Sequence, residues 1–144
     1  TVNCFEALAP NAEASVMLRL EAISEFNGEL LSTNTYFLWG NKSHSELWCM
    51  KHADLQLSYS NDNSNNIVVT NVSDTPALMV RMNLIGSDGE LILPVEYSDN
   101  YFRLLPGERK VISIKWNPRD ARGTSPILMT SGFNVDNVVH ASYK

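Results

Sequence analysis

The run EYSDNYFRLLPGERK, residues 96–110, brings three carboxylates close together in sequence: Glu96, Asp99 and Glu108. Retaining glycoside hydrolysis needs two carboxyl groups about 5 Å apart across a sugar ring, so this is the acidic cluster to weigh as a catalytic pair. The local sequence argues against it. Asp99 falls within a turn, Glu108 directly follows another, and Glu96 lies on an edge strand. His44, His52 and His140 are scattered. His44 and His52 could share a helix face but lack a third ligand, and surface histidines are expected. The two cysteines, Cys4 and Cys49, show neither CxxC nor Cys/His ligand spacing. One bridge between them is conceivable, and two buried thiols are the favoured expectation. No glycine-rich phosphate loop is present. The sequence therefore offers no catalytic residue, no cofactor site and no metal site.

Aromatic rings are the other chemical resource, because a flat apolar face stacks on the axial C–H groups of a sugar. The candidates are Trp39, Trp48, Tyr97, Tyr101 and Trp116. Trp116 and Tyr101 also read as core or corner residues, and Trp39 and Trp48 as packing between domains. Trp39, Trp48 and Tyr97 are kept as candidate sugar contacts. Asn41-Lys42-Ser43 and Asn71-Val72-Ser73 are N-glycosylation triplets, which matter only in a secretory route.

These residues sit on a chain of 144 residues, 44% hydrophobic and 19% charged, with a formal net charge of −5. Such a length suits one domain, or one domain and a fragment of another. The charge disfavours nucleic acid, whose phosphates want a basic face. No apolar run approaches the ~20 residues of a membrane span. The opening TVNCFEALAPNAEAS is polar, has no start methionine and lacks the layout of a signal peptide. The chain is therefore expected to be cut from a longer parent.

The positioning elements read as strands. SVMLRLEAI, residues 15–23, alternates Val16, Leu18, Leu20 and Ala22 against Met17, Arg19 and Glu21, predicting a half-buried strand. Asn27-Gly28 suits a hairpin turn with positive φ angles, and LSTNTYFLW, residues 31–39, is the return strand. Ser43 and Glu46 have capping-box spacing, predicting a short helix over 44–52. Strands follow at 54–60, 67–72, 77–85, 90–97, 109–116 and 125–135, with 61–66 a polar tip and 117–123 a loop. Pro94 marks 90–97 as an edge or bulged strand. About seven short strands at roughly ten-residue spacing suggest an all-β, immunoglobulin-like antiparallel sandwich with an additional N-terminal β-hairpin.

Every part of the opening run has a corner-making explanation. Leu105-Pro106-Gly107-Glu108 is a type II turn signature: proline presets φ at the second position and glycine accepts positive φ at the third. Ser98-Asp99-Asn100 supplies oxygens for an Asx-type turn. Tyr101 and Phe102 are placed to cap the end of the core. Asp99, Asn100, Tyr101, Pro106, Gly107 and Glu108 thus form a structural corner motif.

LPVEYSDNYFRLLPGE resembles the C-terminal immunoglobulin-like domain of glycoside hydrolase family 2, in its β-mannosidase, endo-β-mannosidase and exo-β-glucosaminidase branches. In those proteins a strand ending in proline leads to an aspartate-asparagine-aromatic corner, then leucine-proline-glycine-glutamate. Pro94, Asp99, Asn100, Tyr101, Leu105, Pro106, Gly107 and Glu108 supply that order here. VTNVSDTPALMVRMNL is similar to the preceding strands. ELLSTNTYFLW, with Asn34, Tyr36, Phe37 and Trp39, is similar to the strand that closes the domain before. SGFNV resembles the last strand. The match runs from about residue 13 to residue 135.

The resemblance implies a catalytic (β/α)₈ barrel elsewhere in the parent, carrying two catalytic glutamates that no glutamate here matches. It implies that residues 1–42 end a preceding sandwich, 43–52 link, and 53–144 form the terminal sandwich. The expected partners are the barrel and other domains of the parent. The rival reading is a free-standing carbohydrate-binding or adhesin-type module. The apolar hairpin also invites weak pairing with a second copy.

Overall fold

The computed structural model describes residues 16–38, 45–60 and 63–140. The chain divides into two compact units, Thr1–Met50 and Lys51–Lys144.

In the first unit, β1 (Val16–Ile23) pairs antiparallel with β2 (Leu30–Leu38), from Val16 opposite Leu38 to Ala22 opposite Ser32, with a register shift at Ala22/Ile23. The connection runs from Ser24 to Glu29, and of Asn27-Gly28, both expected at positive φ, only the glycine adopts it. Ser24 N–H donates to Glu29 O (2.8 Å) and Gly28 N–H to Ser24 O (2.9 Å), and Gly28 takes the left-handed φ of 71°. Asn27 instead uses its side chain, whose Oδ1 accepts from Glu29 N–H at 3.1 Å. The alternation of β1 does not become a buried and an exposed face: Val16 to Arg19 are half-buried and Leu20 to Ile23 exposed. The helix expected over 44–52 is a single turn, α1 (Ser45–Trp48); its Ser43 cap lies outside the described residues.

The second unit is a sandwich of β3 (Leu55–Ser60), β4 (Asn63–Asn71), β5 (Ala77–Ile85), β6 (Val95–Tyr97), β7 (Phe102–Leu104), β8 (Arg109–Trp116), β9 (Ile127–Ser131) and β10 (Val138–His140). One sheet has the order β10-β9-β5-β7, the other β3-β4-β8-β6, with every pairing antiparallel. Alternation does here what it could not do in the hairpin. Val80, Met82 and Leu84 of β5 and Leu128 of β9 meet Leu55, Ile67, Val69, Ile112 and Ile114 of the opposite sheet in one closed core. Burying such side chains is worth about 1.5–3 kcal/mol each.

Departures from the expected elements have local causes. The polar tip contracts, because residues from Asn63 onward already pair: Asn63 with Ser60 of β3, and Asn66 with Ser113 of β8. Tertiary pairing overrides the weak strand propensity of asparagine. The strand expected over 90–97 survives only as β6 and an isolated Ile85–Leu91 bridge, since Pro94 has no N–H for a ladder. The loop after β8 holds a 3₁₀ turn, Pro118–Ala121, capped by Asn117, whose Oδ1 accepts from Arg119 N–H. The last strand stops at Ser131, and a further strand, β10, follows.

Candidate functional site: the corner at 96–110

The chain changes sheets twice within the acidic, aromatic run. β6 lies at the edge of one sheet, β7 at the edge of the other, and β8 returns to the first. Each crossing is held by side chains that imitate backbone. At the first, Asn100 Oδ1 accepts from Met82 N–H (2.8 Å) while its Nδ2 donates to Met82 O (3.1 Å), so one amide side chain stands in for a missing strand. Ser98 exchanges bonds with Ser113 of β8: Ser98 N–H donates to Ser113 O, and Ser98 Oγ accepts from Ser113 N–H. At the second crossing Glu108 N–H donates to Leu105 O (2.9 Å), with Gly107 at φ 73°. That is the geometry in which glycine avoids a Cβ clash.

Two of the three carboxylates of this run serve the bend. Asp99 Oδ1 accepts from Asn100 N–H, and Asp99 Oδ2 pairs with Lys110 Nζ, which lies 5.2 Å from the Phe102 ring centre. Glu108 Oε2 accepts from Leu105 N–H at 2.7 Å. Glu96 points outward from β6, opposite Lys115. Among the described residues, no three His, Cys, Asp or Glu side chains converge as metal ligands. His52 is exposed and lies 3.5 Å from Asp136. Cys49, just after α1, is a free, exposed thiol rather than a buried one. Cys4, His44, Trp39 and the Asn41 triplet lie outside the described residues.

The aromatic candidates separate. Tyr97 turns inward against the core, and its Oη accepts from Leu84 N–H at 2.8 Å. Burial pushes its phenol above the ordinary range, while the Leu84 bond pulls the other way. Its hydroxyl is used by the fold, and its ring packs, partly buried, against the core. Trp116 packs against the core. Trp48 is 80% exposed. Tyr101 does not cap the core: it is 60% exposed, with a left-handed φ of 59°. Asn100 Oδ1 also accepts from Tyr101 N–H, which fixes the backbone so that Phe102 enters the core and Tyr101 leaves it.

Two further asparagines, Asn71 and Asn134, complete the framework. Asn71 is fully buried. Its Nδ2 donates to Thr75 O and Leu104 O, and its Oδ1 accepts from Ser73 N–H and Ser73 Oγ. Its backbone bonds Gly107 and Glu108, joining the corner to β4. Asn134 Oδ1 accepts from Leu78 N–H, while Nδ2 donates to Lys51 O and Pro76 O. The only sequence signal for these roles was the presence of asparagine in turn-rich stretches.

The family model described as the exo-β-D-glucosaminidase Ig-fold domain matches residues 36–135. The exo-β-D-glucosaminidase of Streptomyces avermitilis is 37% identical over 60 residues, which is 42% of this chain and 7% of that protein. That of Arthroderma benhamiae is 28% identical over 131 residues, 76% of this chain and 14% of the relative. The crystal structure of Amycolatopsis orientalis exo-chitosanase CsxA superposes with a TM-score of 0.59 at 24% identity, over 80% of this chain and 17% of that one. The chain thus spans a small fraction of the relatives it matches. The sandwich has the immunoglobulin-like fold, and within family 2 the likeness narrows to the exo-β-D-glucosaminidase branch.

Proposed function

The chain belongs to the exo-β-D-glucosaminidase Ig-fold domain family, and from that premise we propose that it is a non-catalytic accessory region of a larger family 2 hydrolase that cleaves β-linked glucosamine. The observation that carries this reading is the family match over 36–135 in a chain that spans 7% and 14% of two relatives named for that activity. The commitment of Asp99 to Lys110 and of Glu108 to Leu105 N–H supports a structural corner. In this reading residues 1–42 are the last hairpin of a preceding sandwich, 43–52 a connector and 53–144 the terminal domain, which buttresses the catalytic barrel.

The test is turnover of nitrophenyl β-D-glucosaminide. The purified 144-residue chain is expected to give none above buffer, and the polypeptide that carries it is expected to hydrolyse the glucosaminide in preference to the β-mannoside. Turnover by the chain alone would overturn the accessory role.

A further inference from the structure

Met79 and Arg81 of β5, Tyr101 at the entry to β7, and Ser131, Gly132 and Phe133 at the end of β9 line an open groove of about 290 Å³. It lies on the outer face of the sheet β10-β9-β5-β7, because Met79 and Arg81 alternate with the buried Leu78, Val80 and Met82. Three large apolar side chains are exposed in part there: Met79 is 54% exposed, Tyr101 60% and Phe133 41%. Apolar residues gathered in a concave patch mark interaction surfaces more often than scattered ones do. Met, Tyr, Phe and Arg are also the types that interface centres favour.

The backbone gives a second sign. Met79 (φ 50°) and Tyr101 (φ 59°) both occupy the left-handed region that side chains other than glycine, asparagine and aspartate rarely adopt. Met79 sits where the pairing of β5 with β7 shifts register between Ala77 and Val80. Strain of this kind, held in place by the surrounding fold, concentrates at functional positions.

Charge indicates what the groove fits. With the Asn83 amide oriented to satisfy both groups, its oxygen accepts from Arg81 Nε (3.3 Å) and Nη2 (3.2 Å), which leaves the positive charge uncompensated. Arg81 makes no ion pair among the described residues. The groove has no acidic lining residue, although the chain carries a net charge of −5. We propose that this groove docks the domain onto another domain of the same polypeptide, through an apolar surface that sets a carboxylate against Arg81. The proposal rests on the multidomain reading above, in which 17% coverage of a solved relative leaves most of the contacting surface elsewhere in the parent.

The thioether of Met79 makes the test direct. Hydrogen peroxide is applied to the isolated chain and to the parent polypeptide, and sulfoxide is measured at Met79 and at the fully buried Met82. Met79 should oxidise readily in the isolated chain and about tenfold more slowly in the parent, with Met82 protected in both. Arg81→Glu should restore Met79 oxidation in the parent while leaving the unfolding midpoint of the isolated chain unchanged. Equal Met79 rates in chain and parent would overturn the docking face. Persistent protection in the Arg81→Glu parent would overturn the carboxylate. Because oxidation is read without substrate, a parent lacking glucosaminidase turnover refutes the functional reading separately.

Discussion

The hairpin and the sandwich have similar sequence patterns and opposite fates. β1 alternates as cleanly as β5, yet Leu20 is 45% exposed and Met82 is not exposed at all. Alternation specifies a strand with two faces; it does not supply the layer that one face must meet. The sandwich contains both of its layers and closes its core. The hairpin's apolar residues, Leu20, Ile23, Leu30 and Leu31, remain in solvent.

The sharpest way to break the contrast is through Asn71. Asn71→Ala strands Leu104 O and Ser73 N–H in or beside the core and leaves Thr75 O with Ser73 Oγ alone. Losing several buried partners at once should lower the stability of the sandwich by about 3 kcal/mol, read as a drop in the urea midpoint. A loss no larger than for a surface substitution would mean that the corner is not held from β4.

Tyr97→Phe is the next largest. It removes the acceptor for Leu84 N–H and should cost about 1–2 kcal/mol at neutral pH. The same residue sets a pH dependence. Its folded pKa is raised above the ordinary value of about 10, so the folded state holds the proton more tightly than the unfolded chain. That contribution is fully present below pH ~10 and is lost as pH rises through the folded value. The wild type should therefore weaken more steeply than Tyr97→Phe across alkaline pH, as followed by denaturation at fixed temperature.

The smallest effect belongs to the hairpin. Leu20→Ala should change the stability of the isolated chain by less than about 0.5 kcal/mol. A loss comparable to a core truncation would show that the hairpin already has a buried face.

Where a strand's own residues decide its fate, the sequence is enough. The spans 77–85 and 109–116 are read from alternation alone and match β5 and β8 residue for residue. The turn at Pro106-Gly107 is equally legible, because both residues carry their dihedral preference with them. What escapes is set by distant partners. β7 is three residues long and exists because β5 lies beside it, and β10 because β9 does. Nothing in the sequence around Tyr97 shows that its hydroxyl accepts from Leu84 N–H on the other sheet. Tyr101 looks like a core cap until the Asn100 side chain, bound to Met82, turns it outward. Asparagine was the least legible residue type. Its amide can replace a strand's N–H and C=O, and nothing in the local sequence says which strand will be completed.

The burial of Asn71 has a bearing on biosynthesis. Asn71-Val72-Ser73 is an acceptor triplet in any compartment that attaches N-linked sugars. Its amide nitrogen, however, is enclosed and already donates two bonds. An oligosaccharide at that position and the native sandwich exclude one another. In such a compartment, closure of the domain would have to outrun the transferase, and a copy modified first could not complete the Leu104 crossing.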